Sequence, residues 1–300
     1  MSGARTAPPA GAEELSPTKR ALLELMRSRR AAGGGVVVLR DGAPGAGDPL
    51  VLVHPIGGGV FCYAELGRRL PPGRAVWALA ADGLLDGAGP EPTLAELARH
   101  YRELLAAEGL RTPAAVAGWS FGGVVAHEMA RQWSAGTDRP APPVVLIDSA
   151  PWPEEAGAWT PAETLRAFVE DLLGWSGTEG HEALTPATWE LPATEALASA
   201  MLQLRLNGQD LGLSAADLHI KYRVFARATR VMRAHRPARH TGPVTMIRAA
   251  DSPARPEPWA ALCDGPDLDV VTVPGDHFGV LRDPVVRRVA EVVAATLASI

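Results

Sequence analysis

The chain has 300 residues, 47% of them hydrophobic and 21% charged, which is the composition of a globular protein with a buried core. Its formal charge of −5 excludes a general nucleic-acid-binding protein, which needs clustered positive surface. No apolar run reaches the roughly 18 residues of a membrane span, and the first residues lack the apolar segment of a secretory signal. We therefore expect a soluble, cytoplasmic protein. Cys62 and Cys263 are interpreted as small core residues of a reduced compartment.

The first 35 residues are predicted to be a flexible tail followed by a linker helix. Ser16 precedes Pro17, and proline is favoured at the first position of a helix. A glycine-rich stretch then ends the helix. Residues 36–300 are predicted to form one catalytic domain.

From residue 36 the chain alternates strand and helix patterns, which is typical of a mostly parallel sheet with helices on both faces. Several strand candidates are continuous apolar runs, as expected for strands that are covered on both faces. The predicted strands cover residues 36–39, 50–53, 75–79, 114–117, 144–147, 244–247 and 270–273.

Helix starts are legible between these strands. Thr93 and Glu96 form a capping box that predicts a helix from Leu94. Asp283 with Pro284 predicts the start of the last helix. The pattern as a whole favours an α/β fold with a mostly parallel central sheet.

One long stretch interrupts the alternation. About ninety residues between Asp148 and Val244 contain only helical patterns, and loops of that length without structure are rare. Three helices are predicted, starting near Thr160, Thr194 and Ser214. We interpret residues 151–236 as a helical lid inserted after a sheet strand.

A nucleophile motif follows the fourth predicted strand. Residues 118–123 read Gly-Trp-Ser-Phe-Gly-Gly and precede a predicted helix, which is the strand–turn–helix context that G-x-S-x-G requires. The glycines allow strand and helix to pack closely, and the turn exposes the hydroxyl of Ser120 at the positive end of the helix. The motif in this context favours the α/β-hydrolase fold, with Ser120 as the predicted nucleophile.

A serine needs a base, and the base needs an orienting acid. Of eight histidines, His277 lies where this fold places its base, between the last strand and the last helix. The other seven are interpreted as structural or surface residues. Asp148 and Asp251 each follow a strand, and spacing alone does not choose between them as the acid.

The oxyanion hole needs two backbone N–H donors. Phe121, directly after the nucleophile, is one candidate. Ile56 is the other, because residues 54–59 form a glycine-rich loop after the second strand. The loop does not match a phosphate-binding motif, and no Cys/His cluster has metal-ligand spacing. We expect no metal.

These segments resemble the thioesterase domains that terminate nonribosomal peptide synthetases. Residues 52–58 resemble their oxyanion loop, 117–123 their nucleophile turn and 146–149 their acid-bearing strand. Trp-Ser-Phe is more typical of them than the His-Ser-Met of stand-alone editing thioesterases or the His-Ser-Ala of polyketide synthases. The resemblance covers residues 49–300, and the lid matches least.

The resemblance implies a triad of Ser120, His277 and Asp148, and so favours Asp148 as the acid. It implies a substrate held on the phosphopantetheine of an acyl or peptidyl carrier protein, in cis or in trans, while the domain itself binds no cofactor. It also implies an acyl-enzyme that is resolved by water or by an internal nucleophile. No carrier domain precedes the enzyme, so the chain is expected to be free-standing or excised from a synthetase.

The lid contains two further patterns. Trp152, Trp159, Trp175 and Trp189 are mostly packing residues, and at least one is expected to face the substrate. Arginines 223, 227, 230 and 233 recur at helical spacing, which indicates a solvated face or else a contact for an acidic carrier protein.

The function predicted from the sequence is release of an acyl or peptidyl chain by hydrolysis or cyclisation. The lid's length and tryptophans slightly favour cyclisation. The alternatives are an esterase, acyltransferase or editing thioesterase acting on small acyl substrates, and a catalytically inactive binding module. The last is disfavoured because all catalytic roles are filled. No nucleic-acid or membrane partner is expected.

Overall fold

A seven-stranded sheet forms the centre of the molecule. The computed structural model describes residues 35–82, 85, 89–135, 140–153, 157, 159–176, 188, 191–206, 213–263 and 268–299. The predicted tail and linker helix, and Trp189, lie outside these residues.

All seven predicted strands are present, each bounded within two residues of its predicted ends. The order in the sheet is β1-β3-β2-β4-β5-β6-β7, with β1 antiparallel to β3 and every other pair parallel. The predicted α/β fold with a mostly parallel sheet is confirmed. The strands are β1 Val36–Arg40, β2 Leu50–Val53, β3 Val76–Leu79, β4 Ala115–Trp119, β5 Val144–Ile147, β6 Val244–Ala249 and β7 Leu268–Val273.

Helices connect the strands and cover both faces of the sheet. The capping box of Thr93 and Glu96 is formed at the start of the second helix, as predicted. The helices are α1 Ala64–Arg69, α2 Leu94–Ala107, α3 Phe121–Ser134, α4 Pro161–Ser176, α5 Ala193–Leu206, α6 Ala215–Ala234, α7 Glu257–Ala260 and α8 Val285–Ala298.

Alternate residues of each central strand enter different cores. Val51 and Val53 of β2 pack beneath α2 and α3, whereas Leu50 and Leu52 pack beneath α1 and α8. Because strand side chains alternate between faces, a continuous apolar run supplies both cores at once. Cys62 and Cys263 are buried free thiols within these cores, in agreement with their predicted role.

The helices α4, α5 and α6, here called the inserted helices, have a third core of their own. Phe168 of α4, Leu197 of α5 and Phe225 of α6 are buried in it. Thr160 with Glu163 caps α4, and Ser214 caps α6, both as predicted. A helical insertion after β5 is therefore confirmed. Among the described residues, no helix has the length and apolarity needed to cross a membrane.

The topology places the predicted site residues at one edge of the sheet. Ser120 follows β4 and Asp148 follows β5, while residues 54–59 follow β2 and His277 follows β7. Since these strands are parallel, their carboxyl ends share an edge, and ligand sites of open α/β sheets lie there.

Candidate active site

Ser120 lies in the sharp turn between β4 and α3. Its backbone has φ 56° and ψ −126°, a conformation that non-glycine residues rarely adopt. A methyl group on Gly118 would lie 2.1 Å from the carbonyl carbon of Gly122, and one on Gly122 would lie 2.3 Å from the carbonyl oxygen of Val53. The motif therefore needs glycine at both positions, because backbone occupies the space of a side chain.

His277 is paired with Asp148. Its Nδ1 lies 2.6 Å from Oδ2 of Asp148, whose Oδ1 accepts the backbone N–H of Ala249 at 2.8 Å. Burial raises the pKa of Asp148, but hydrogen bonds from His277, Ser252 and Ala249 outweigh it and hold the pKa below its ordinary value. Asp148 therefore stays ionised beside the imidazole.

Asp251, the other candidate acid, is not at this position. Its side chain is exposed, and its backbone N–H donates to the carbonyl oxygen of Gly275. Of the two acids that spacing left open, the structure brings only Asp148 to His277.

Trp119, the residue before Ser120, packs on the imidazole of His277. Its indole ring is stacked on the ring of His277 with centroids 4.7 Å apart, and its Nε1–H donates to the carbonyl oxygen of His277 at 2.9 Å. Trp119, which directly precedes Ser120, thus positions His277, the predicted base for Ser120.

Tyr63 connects the nucleophile strand to the loop after β2. Its hydroxyl donates to the carbonyl oxygen of Val53 at 2.6 Å and accepts the N–H of Trp119 at 2.8 Å. Both strand ends are buried, so this one side chain supplies a hydrogen-bond partner to a backbone group of each. No motif spacing identifies Tyr63 in the sequence.

His54 shapes the start of the same loop. Nδ1 lies 2.7 Å from the carbonyl oxygen of Pro55, and Nε2 lies 2.6 Å from the hydroxyl of Tyr101. Burial lowers the pKa of His54 to about 4, so the ring is neutral. It donates from Nδ1 to Pro55 and accepts from Tyr101, which agrees with its interpretation as a structural histidine.

The predicted oxyanion donors lie on either side of this arrangement. Phe121 begins α3 directly after Ser120, and Ile56 lies in the loop under the inserted helices. Among the described residues, neither backbone N–H donates to a protein acceptor. Their role as oxyanion donors stays a prediction.

Comparison with known families fits this arrangement. The family described as Thioesterase domain matches residues 48–297, which is most of the chain. The chain belongs to the thioesterase domain family. It is therefore a hydrolase of the α/β-hydrolase superfamily, in which a serine mechanism is typical.

Similar proteins include synthetases and separate thioesterases. The chain is 36% identical over 120 residues to nonribosomal peptide synthetase btyA of Aspergillus terreus, covering 39% of this chain and 13% of that protein. It is 37% identical over 95 residues to thioesterase frbE of Dothideomycetidae sp., covering 30% of this chain and 34% of that protein. The chain thus spans about a third or less of the length of these relatives.

Solved structures show the same fold. A four-domain nonribosomal peptide synthetase bound to AMP and glycine superposes with a TM-score of 0.73 and 26% identity, covering 87% of this chain and 20% of that one. The NocB thioesterase domain, in covalent complex with a fluorophosphonate nocardicin G analogue, superposes with a TM-score of 0.61 and 24% identity. The match covers 87% of this chain and 99% of that one.

The inserted helices of the thioesterase domain pack on the catalytic loops. Gly58 has φ +78°, and a methyl group there would lie 2.7 Å from Cγ1 of Val224 on α6. A methyl group on Gly174 of α4 would lie 2.3 Å from the ring of Phe278, next to His277. Glycine at these positions therefore allows the inserted helices to contact both loops.

The arginine pattern is only in part a solvated face, since Arg223 and Arg230 are exposed. Arg227 is buried and donates to the carbonyl oxygens of Gly89 and Pro90 at 3.0 and 2.8 Å, and Arg230 pairs with Glu91. The solvated-face interpretation is wrong for Arg227, because the segment at 89–91 packs over this part of α6. Helical spacing alone could not show which loop crosses the helix.

Two of the lid tryptophans contact each other. Trp152 and Trp159 meet edge to face with ring centroids 4.9 Å apart, and the guanidinium of Arg233 lies 5.5 Å from the ring of Trp152. Both rings are partly exposed. Whether a lid tryptophan meets the substrate stays a prediction.

Proposed function

We propose that this thioesterase domain releases an acyl or peptidyl chain from the phosphopantetheine thioester of a carrier protein. The hydrogen bond from His277 to Asp148, beside a strained serine, supports a base poised for nucleophilic catalysis. The N–H groups of Ile56 and Phe121, which donate to no protein acceptor among the described residues, support an oxyanion hole. The similarity to nonribosomal peptide synthetases supports a carrier-bound substrate.

In the acylation half, Oγ of Ser120 attacks the thioester carbonyl carbon while Nε2 of His277 takes the hydroxyl proton. The oxyanion accepts the N–H groups of Ile56 and Phe121. The carbon–sulfur bond then breaks, and His277 returns the proton to the departing pantetheine thiolate. Asp148 stabilises the imidazolium and holds its tautomer, and it keeps its own negative charge throughout.

In the second half, His277 activates the nucleophile that resolves the acyl-enzyme. Water yields the linear acid, whereas an amine or hydroxyl of the acyl chain yields a ring, and the triad treats both in the same way. The inserted helices decide the outcome, because they control entry of water and the path of the chain. A lid role for residues 151–236 is part of this proposal.

Ser120→Ala tests the proposal directly. We expect turnover of an acyl-loaded carrier protein to fall about 10⁶-fold, because the triad then has no nucleophile. Intact-mass spectrometry should show an acyl adduct on the wild-type enzyme and none on the variant. Ser134→Ala, at the far end of the same helix, is the matched control and should retain activity. Turnover by Ser120→Ala near the wild-type rate would refute the mechanism.

The alternative substrates are separated by a second measurement. A chain-releasing enzyme should cleave a peptidyl thioester of N-acetylcysteamine far faster than a simple nitrophenyl ester. The reverse preference would indicate an esterase on free small molecules. With a native substrate, a product lighter than the linear acid by one water identifies cyclisation.

A further inference from the structure

An acidic side chain of the inserted helices reaches the oxyanion loop. Oδ2 of Asp171, on α4, lies 3.3 Å from the position that a methyl group on Gly57 would occupy. Gly57 is the neighbour of Ile56, a proposed oxyanion donor. Asp171 is a partly buried residue at this contact between α4 and the loop.

The same segment of α4 is attached to the loop that carries His277. Gly174, three residues after Asp171, packs on the ring of Phe278, and its carbonyl oxygen accepts a hydrogen bond from Arg282. Asp171 also interacts electrostatically with His277, with Lys221 of α6 and with Cys62. The carboxylate therefore lies within electrostatic range of His277, the proposed base.

This carboxylate has no direct partner within the described part of the chain. No hydrogen bond or ion pair joins Asp171 to another described residue, and Lys221 contributes only at longer range. Burial raises the pKa of Asp171 to about 6, and electrostatic interactions with His277 and Lys221 only partly oppose this. Burying an ionised carboxylate without hydrogen-bond donors is costly, and a bound cation would remove most of that cost.

We propose that Asp171 binds a positively charged amine of the acyl or peptidyl chain and so determines which chains are released. This inference rests on the proposed function. An ammonium group offers three N–H donors and a full charge, which matches an ionised carboxylate. The pantetheine arm carries neutral amides near its thiol, so it does not supply the missing charge. The amine is either the N-terminus of a peptidyl chain or a basic side chain.

Three N-acetylcysteamine thioesters of one short peptide test the proposal. The first has a free N-terminal amine, the second is acetylated and neutral, and the third is acetylated but carries a lysine side chain. The enzymes are the wild type, Asp171→Asn and Glu170→Gln. Glu170 is the matched control, since it is an exposed acid on the same helix.

The readout is the ratio of kcat/KM for each amine-bearing thioester to that of the neutral one. In the wild type at least one ratio should exceed unity, and the amine that gives it identifies the source of the charge. Asp171→Asn should lower that ratio at least about tenfold, since even a partly screened ion pair has this effect. Glu170→Gln should leave it unchanged.

The pH dependence has a definite sign. The wild-type ratio should be high above pH 6 and decline below it, as Asp171 becomes protonated near its pKa of about 6. His277, Lys221 and Cys62 also interact with Asp171, and Asp171→Asn retains all three, so the part of the pH dependence that this substitution removes belongs to Asp171. The ratio is also independent of the amount of folded enzyme.

Two results overturn the inference. Equal loss for charged and neutral thioesters in Asp171→Asn would make Asp171 a structural residue of the lid. Wild-type ratios near unity would show that no amine is recognised. If the wild type cleaves none of the thioesters, the proposed function itself fails, which is a distinct outcome and removes this inference with it.

Discussion

At the scale of single residues, Asp148 is the most constrained group of the site. It has a positive φ of 42°, its Oδ1 accepts from the backbone N–H of Ala249, and its Oδ2 faces Nδ1 of His277. With both oxygens engaged, the carboxylate cannot rotate away from the imidazole. The backbone of β6, through Ala249, therefore fixes the carboxylate that accepts from Nδ1 of His277. This favours the His277 tautomer whose Nε2 is unprotonated, as the proposed reaction with Ser120 requires.

Replacing this acid by its amide should separate geometry from charge. Asp148→Asn is expected to lower kcat about 10⁴-fold, because an amide stabilises the wrong imidazole tautomer. Asp251→Asn is the control, since its exposed side chain does not meet His277, and it should retain activity. Steady-state kinetics with one acyl thioester decides between them. A large loss at Asp251 with little loss at Asp148 would reverse the assignment.

At the scale of elements, the loop after β2 is shaped by what packs on it. Gly58 has φ +78° and lies against Val224 of α6 and Ala81, whereas Gly59 has open space around it. The glycine-rich stretch therefore contains positions of unequal importance. Glycine is required at position 58 by the backbone conformation and by the close approach of α6. It is not required for these reasons at position 59.

Alanine substitutions at these adjacent glycines should differ sharply. Gly58→Ala places a methyl group 2.7 Å from Cγ1 of Val224 and 2.8 Å from Cβ of Ala81. We expect it to destabilise the fold by about 2–4 kcal/mol, from left-handed backbone strain and overpacking. Gly59→Ala should cost less than about 0.5 kcal/mol, as surface substitutions usually do. Urea denaturation measures both, and equal losses would contradict the packing described here.

At the scale of the whole molecule, buried histidines couple folding to pH. Burial lowers the pKa of His54 to about 4 and that of His127 to about 3. His127 lies 4.9 Å from the ring of Trp259, and neither of its ring nitrogens has a hydrogen-bond partner among the described residues. In the unfolded chain both histidines regain a pKa of about 6.5, so the unfolded state binds more protons in mild acid.

The free energy of unfolding should therefore fall as the pH drops from about 7.5 to about 5, by on the order of 2 kcal/mol for each buried histidine. The sign follows from the lowered folded pKa, because stability is lost as the pH falls through the unfolded value. His127→Gln should reduce this fall by the contribution of one buried histidine, on the order of 2 kcal/mol. His219→Gln removes an exposed imidazole and should leave it unchanged. Urea denaturation at the two pH values is the measurement.

The pattern of apolar residues was sufficient to predict the strands, and the capping residues were sufficient to predict the helix starts. Apolar runs located all seven strands, most clearly β2, β4 and β5, because a strand buried on both faces has no polar alternation to obscure it. Capping boxes located α2 and α4, since these hydrogen bonds join residues three apart in the chain. The nucleophile motif could be identified in part for the same reason, since the close contact between Gly118 and Gly122 lies within one turn.

The sequence by itself determined the α/β architecture, the inserted helices, Ser120 and His277 as candidates, and the loop that holds Ile56. Only the tertiary structure decided which acid meets His277, that Tyr63 joins two strand ends, that Arg227 is buried and that Asp171 faces the site. The physical reason is distance along the chain. Spacing records contacts within a turn, whereas these side chains meet groups from remote elements, and sheet order and helix packing alone bring them together.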